Sequence, residues 1–242
     1  MTEHNSGAVA FPGSLFEPLR SLGAILWKPS EVFDKLRDRP RYLLPLIVVA
    51  LGGLLLELEA RPLVEQLLIR TAPKDLPLDQ LERGLAYFRK AHLIGMLASP
   101  VVMFIKWACT AWLIFMTSIL VGGRGSYRQT LSLVSFSSVI LLFESWYSRM
   151  VVHLKGIDAL TSPRDLDPPI GLSLLKPDLN PGWFTFLNTF NLFEAWFVVL
   201  LLLGLARLEN ISKKRAALAV VPIWLLLTGL RAGLASLAGN GQ

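Results

Sequence analysis

Cysteine is nearly absent from this chain. Cys109 is the one cysteine in 242 residues, so an intrachain disulfide is excluded and the redox compartment cannot be inferred. Histidine is almost as scarce. His4, His92 and His153 are scattered; His92 and His153 could meet on one side of a membrane, but without a carboxylate cluster a pair of histidines makes a poor metal site. Neither a metal nor a cofactor is expected. Charge is also low: Asp, Glu, Lys and Arg make up 17% of the chain, against about 25% in soluble domains, too little to cover a water-facing surface. No His-Glu-x-x-His, Gly-x-Ser-x-Gly, phosphate loop or dinucleotide fingerprint occurs, so the expectation is a non-enzymatic protein. Met1 to Gly13 is polar and lacks the apolar core and small-residue cleavage site of a signal peptide. The first hydrophobic run is therefore expected to act as the insertion signal.

Long apolar runs are what the chain does have. Hydrophobic residues reach 53% and concentrate in stretches near the roughly 20 residues that cross about 30 Å of hydrocarbon. The expected fold is an all-α membrane protein, a bundle of five transmembrane helices. The spans fall at about residues 42–59, 92–121, 129–150, 183–208 and 216–237. Span two is long enough that it must tilt or project. Before them, residues 1–13 are expected to be disordered, and Ser14-Leu-Phe-Glu17 fits a helix-start capping box. Leu15, Leu19, Leu22 and Leu26 follow at helical spacing. A second helix restarts at Pro29 with Val32, Phe33 and Leu36 on one side and Lys35, Arg37 and Arg39 on others. The pair, ending near residue 41, reads as interfacial amphipathic helices; a helical hairpin packed on loops is the alternative. Asp75–Lys90 carries Leu78, Leu81, Leu85 and Phe88 on one stripe and reads as an amphipathic helix leading into span two. Five prolines between 163 and 181 argue against a long helix there. Gly122-Gly-Arg-Gly reads as a tight turn, since no strand precedes it. Asn210-Ile-Ser212 matches a glycosylation sequon but falls in an expected cytoplasmic loop, where it is a chance match.

The net charge is +6. The cations sit in short clusters beside the apolar runs, as in Lys35, Arg37, Arg39 and Arg41, and read as topology signals and contacts to anionic headgroups. No groove-reading motif accompanies them, so no nucleic-acid partner is expected. Their density near the span ends favours a cytoplasmic N-terminus and an external C-terminus.

Ile25-Leu-Trp-Lys-Pro29-Ser-Glu-Val-Phe33, then Arg39-Pro40 and Tyr42-Leu-Leu-Pro45-Leu, resembles the start of bacterial members of the Yip (Ypt-interacting protein) domain family. Gly122-Gly-Arg-Gly-Ser126-Tyr-Arg-Gln129 is similar to the family's entry into span three. Asp178-Leu-Asn-Pro181, Asn191-Leu-Phe193-Glu-Ala-Trp196, Gly204 and Ser212-Lys-Lys-Arg215 resemble its fourth span and final loop. The likeness covers roughly residues 20–238, leaving 1–19 as the disordered N-terminus and start of the interfacial helix. It implies a five-span fold with a cytoplasmic N-terminus, in a bacterial cytoplasmic membrane. The family's eukaryotic branch binds Rab-type GTPases, but its Asp-Leu-Tyr-Gly-Pro motif has no counterpart here and its long cytoplasmic region is reduced, so that activity is not carried over.

Ionisable residues inside spans are the default functional candidates, because an isolated charge at mid-span costs about 2.5–3.5 kcal/mol. Glu57, Lys106, Glu144, Glu194 and Arg231 qualify. Each lies about 14–15 residues from the expected cytoplasmic end of its span, or about 22 Å at the helical rise, so they form a candidate buried polar layer. Their mixed signs allow pairing, with Lys106 to Glu144 or Glu194 as the expected ion pair. Glu57 and Arg231 lie nearest the external ends and could reach headgroup water. Ser99, Lys106, Thr110 and Thr117 share one helical face, as do Ser137, Glu144 and Ser148. Gly229 and Gly233 form a small-xxx-small pair that permits close helix approach.

Three roles fit such a layer. It could be a packing device, a hydrated site for an ion, lipid headgroup or small solute, or a surface completed by a second membrane protein. The leading expectation is a membrane organiser or scaffold binding lipids or other membrane proteins, with homo-oligomers possible. The runner-up is a small transporter, its small-molecule substrate unspecified.

Overall fold

A computed structural model describes residues 16–176 and 178–239. The expected disorder of residues 1–13 lies outside the described residues, as does Ser14 of the expected capping box. Among the described residues the chain is helical, with no strand. The helices are α1 (Phe16–Trp27), α2 (Pro29–Asp38), α3 (Leu43–Thr71), α4 (Leu78–Leu120), α5 (Tyr127–Ser137), α6 (Val139–Lys155), α7 (Pro181–Asn188), α8 (Leu192–Leu208) and α9 (Lys213–Gly239). Four stretches are long and apolar enough to cross a bilayer: α3, α4, α5 with α6, and α9. A fifth, α7 with α8, qualifies only as a pair bent by 56°. The fold is that of an all-α membrane protein.

Span four, expected as one continuous helix from 183 to 208, is therefore broken. Asn188 and Asn191 flank the break, and asparagine side chains compete with the helix for backbone hydrogen bonds. The Asn188 side-chain oxygen accepts from the backbone N–H of Ile170 (2.8 Å) and Gly171 (3.1 Å) and from the Ser173 hydroxyl (2.7 Å). Leu172 N–H donates to the Phe190 carbonyl at 3.2 Å. The loop before α7 thus folds onto the break and satisfies polar groups that hydrocarbon could not. A side chain at Gly171 would collide with the Leu187 and Asn188 carbonyls, so the loop approaches this closely because that residue has none.

Two expectations about helix extent are corrected. The Asp75–Lys90 stripe is not a separate element: α4 runs unbroken from Leu78 for 43 residues, about 65 Å at 1.5 Å per residue. Nor does α3 stop near residue 59; it continues to Thr71. The two extensions pair outside the apolar region, where Arg89 donates to Glu65 at 2.8 and 3.0 Å and Arg61 donates to the same carboxylate at 3.0 Å. The proline-rich connection contains only short 3-10 turns, at Ile157–Ala159, Pro163–Leu166 and Leu172–Leu175. Its Leu160 packs with Leu67 of α3 and Val152 of α6 in a small second core.

In the main core α5 is innermost, with every residue from Thr130 to Ser137 buried. It tolerates Ser132 and Ser135 because their hydroxyls donate to carbonyls three or four residues back, while the buried Ser137 hydroxyl has no partner among the described residues. Helix α2 buries Val32, Phe33 and Leu36, the side read as apolar from the sequence, against α8 and α5. The α1–α2 hairpin is thus docked on the end of the bundle, while Trp27 remains exposed. Gly204 of α8 makes room for it: a β-carbon there would overlap Leu133 and lie 3.0 Å from the Phe33 ring.

Candidate functional site

The break in span four restarts as α8, and its capping residue organises the buried charges. The Asn191 side-chain oxygen accepts from the backbone N–H of Phe193 (2.9 Å) and Glu194 (3.0 Å), filling donors that a helix start leaves open. Its amide nitrogen donates to Glu144 Oε1 on α6 at 2.7 Å. One side chain therefore caps α8 and ties it to a carboxylate on the preceding span.

Glu194, in the first turn of α8, is buried. Two residues of α9 engage it. Arg231 donates to Oε1 at 3.2 Å and the Trp224 indole N–H donates to Oε2 at 3.1 Å. Trp224 and Arg231 are seven residues apart, two turns along one helical face. Trp224 in turn packs edge-on against Phe190 of the break, with ring centroids 5.3 Å apart. Both carboxylate oxygens of Glu194 therefore have a donor from α9.

The expected ion pair is corrected on this point. Arg231, not Lys106, is the cation on Glu194, and Lys106 makes no direct ion pair among the described residues. Lys106 is nonetheless within electrostatic reach of Arg231, Glu194 and Glu144. It lines a cavity of about 300 Å³ together with Glu194 and Arg231. The walls of that cavity are apolar, with Ile114 from α4, Phe197 and Leu201 from α8 and Ile223 and Leu227 from α9. Glu57 is not part of this cluster. It lies in a second cavity of about 230 Å³, which Lys106 and Ser138 also line, and 4.0 Å from His92. Three of the five candidates thus line one cavity, Glu144 is tied to the start of α8 through Asn191, and Lys106 also lines the cavity that holds Glu57.

The polar stripe of α4 also differs from expectation. The residues α4 buries are Trp107, Ala111, Ile114 and Ser118, one position round from the stripe of Lys106, Thr110 and Thr117. The stripe lies at the edge of the packed face, where Lys106 and Thr110 border the cavity. Only Thr117 reaches another span, donating to the Ala219 carbonyl at 3.0 Å, while Ser99 and Thr110 bond carbonyls of their own helix. Gly229 and Gly233 have nothing within 4 Å of where a β-carbon would sit, so they mediate no helix approach within this chain.

One buried acid was missed. Glu209 follows α8 and is buried; its Oε1 accepts from the Ser118 hydroxyl at 3.0 Å and from that of Thr130 at 3.4 Å. Gly122-Gly-Arg-Gly is the turn expected, with Gly122 at φ 89°, and it also forms a cradle. A β-carbon at Gly123 or Gly125 would collide with the Glu209 carboxylate. Burial pushes the Glu209 carboxyl above its usual range, opposed by hydrogen bonds from Ser118, the Gly125 N–H and Thr130. Its Oε2 has no hydrogen-bond partner of good geometry among the described residues. Glu209 was read as loop because it lies just past the apolar run; closely spaced glycines facing a lone acid were the available signal. Of the histidines, His153 Nε2 lies 2.7 Å from Glu59, so His92 and His153 engage different carboxylates of α3.

These features define an all-α membrane protein with one apolar helix pair bent by 56° and a cluster of charges beside the bend. The chain belongs to the Yip1 domain family, whose pattern it matches over residues 23–233. It is 28% identical over 231 residues to "Membrane protein YknW" of Bacillus subtilis (strain 168), an alignment spanning 93% of this chain and 91% of that protein. No solved structure matches the chain. The resemblance seen along the sequence to the Yip family is thereby borne out.

Proposed function

We propose that this protein is a non-enzymatic membrane organiser that binds a lipid-like amphiphile in the cavity beside the broken span. The observation that carries this is the make-up of the 300 Å³ cavity, which has apolar walls and one charged end formed by Lys106, Glu194 and Arg231. Pockets with apolar linings and a few convergent polar groups hold small ligands in orientation. Cys109, Leu230 and Leu234 at its border are exposed on the outer side of the bundle, where acyl chains lie. A non-enzymatic role is supported by the engagement of the acids: both oxygens of Glu194 have donors and Glu144 holds Asn191. The bilayer is the first partner, and a second membrane protein or copy of the chain could share the bound lipid. We place the protein in a bacterial cytoplasmic membrane, N-terminus inside and C-terminus outside.

A second reading, a small permease, is favoured by the 56° break, because broken spans place helix ends beside cargo at the membrane midplane. Cys109, the only thiol, separates the two. The lipid reading expects Cys109 to react with a bilayer-soluble maleimide and to resist an impermeant thiol reagent from both sides. It also expects a photoactivatable acyl-chain phospholipid to crosslink at the cavity, and Ile223→Trp, which fills it, to abolish the crosslink. Impermeant labelling of Cys109, or of Lys106→Cys and Glu194→Cys in a Cys109→Ser background, would mean a hydrated path and would overturn the lipid reading.

A further inference from the structure

A separate cavity of about 250 Å³ opens between α2, the start of α3 and α5, away from the charges beside the break. Its floor is apolar, including Leu36 and Phe136, and three cations line it: Lys35, Arg39 and Arg41. Asp38 is the one acid there, and Lys35 has an interaction of its own within the chain, so Arg39 and Arg41 leave the cavity with a formal charge of about +1 at neutral pH. Arg207 nearby is matched within the chain, to Asp34 by two hydrogen bonds of 2.7 Å. Arg39 and Arg41 have no carboxylate partner among the described residues. Unmatched cations facing one cavity repel each other, and an anion bound there relieves the repulsion.

We propose that this cleft is a binding site for the phosphate headgroup of an anionic phospholipid. Guanidinium groups suit phosphate because their planar N–H pairs match its oxygens, and basic pockets at the ends of membrane helices hold anionic headgroups. The volume is below the roughly 300–1,000 Å³ of pockets that enclose a whole small ligand, so the cleft takes the headgroup and leaves the acyl chains outside. A surface for those chains begins at once. Leu44 lines the cleft, and from the same turn of α3 the exposed residues Leu43, Ile47, Leu51 and Leu55 descend at four-residue spacing. That stripe favours a lipid over free phosphate.

The test uses the full chain in detergent with phosphatidylglycerol or phosphatidylcholine added, and retained lipid counted by native mass spectrometry. The chain is expected to retain phosphatidylglycerol in preference to phosphatidylcholine. Arg39→Gln with Arg41→Gln is expected to weaken that retention about thirtyfold, while the charge-matched control Arg124→Gln with Arg128→Gln keeps it. Both pairs are exposed, and unchanged melting temperatures would show that each variant is folded. Equal retention by the Arg39/Arg41 variant, or equal loss in the control, overturns the site in favour of diffuse surface charge. Displacement by inorganic phosphate at millimolar concentration overturns the lipid assignment. Ile223→Trp must leave the preference for phosphatidylglycerol over phosphatidylcholine unchanged, which keeps this site's failure distinct from that of the cavity beside the break.

Discussion

Asn191 stands 2.7 Å from Glu144 through its side-chain amide nitrogen while its oxygen caps α8, so the two halves of one amide do two jobs that substitution can separate. Asn191→Asp keeps an acceptor for the cap and removes the donor to Glu144. Asn191→Ala removes both. Loss of a cap costs about 1 kcal/mol, and loss of a side-chain hydrogen bond about 0.5–1.5 kcal/mol. Asn191→Ala is therefore expected to lower stability by about 1.5–2.5 kcal/mol, measured by unfolding in mixed detergent micelles. A loss below 1 kcal/mol would mean that α8 does not depend on this residue for its start.

Gly204 and Gly229 are both helical glycines, yet their surroundings predict opposite outcomes. A leucine at 204 must displace Leu133 and Phe33, and overpacking of this kind costs about 1–3 kcal/mol or more. A β-carbon at 229 meets nothing within 4 Å, and Gly229→Leu is expected to leave the melting temperature of the monomer unchanged. If Gly229→Leu destabilises the protein only at high protein-to-detergent ratios, the small-residue strip serves an interface between chains.

The α1–α2 hairpin is tied to the bundle by a buried ring and by an exposed ion pair. Phe33→Ala is expected to cost about 3–5 kcal/mol and to expose the hairpin to proteolysis. Asp34→Asn breaks the Asp34–Arg207 pair, but its two side chains are about half exposed, and solvent screens such pairs strongly. Its effect should be small and should shrink further with added salt. Arg207 holds the Asp34 carboxyl below its usual range, so whatever the pair contributes is present at neutral pH and is lost as pH falls through that lowered value. Limited proteolysis as a function of pH and salt checks both parts.

Glu209 carries the opposite sign. Its carboxyl is raised by burial from an ordinary value of 4.5, so ionisation disfavours the folded state and stability from this group declines as pH rises above that value. Glu209→Gln keeps an acceptor for Ser118 and Thr130 without the charge. It is expected to be at least as stable as the parent at neutral pH, with the difference closing as pH is lowered toward 4.5. A variant less stable than the parent at neutral pH would show that the Gly123–Gly125 cradle is built for the carboxylate ion. Gly123→Ala, which collides with Glu209 Oε2, should destabilise the chain at every pH.

What the sequence determined by itself is the part set by local composition. Apolar runs matched to the bilayer show the crossings, the order of short motifs shows the family, and the alternation of Val32, Phe33 and Leu36 with charges shows the buried side of α2. Tertiary structure decided which buried charges meet. Along the chain Lys106 reads as the partner of Glu144 or Glu194 and Arg231 as a residue that reaches headgroup water, but the rotation of α4 buries Trp107 and Ala111, while α9 presents Trp224 and Arg231 to the carboxylate. Helix rotation is fixed by packing against neighbours, and in an almost uniformly apolar span no periodicity reveals it. The break in span four had a local signal in Asn188 and Asn191. Its outcome depended on the loop before α7, whose backbone and Ser173 hydroxyl bond to Asn188 at the bend. Glu209 was hidden for the same reason: its burial is made by glycines more than eighty residues earlier, a relation that only the folded chain contains.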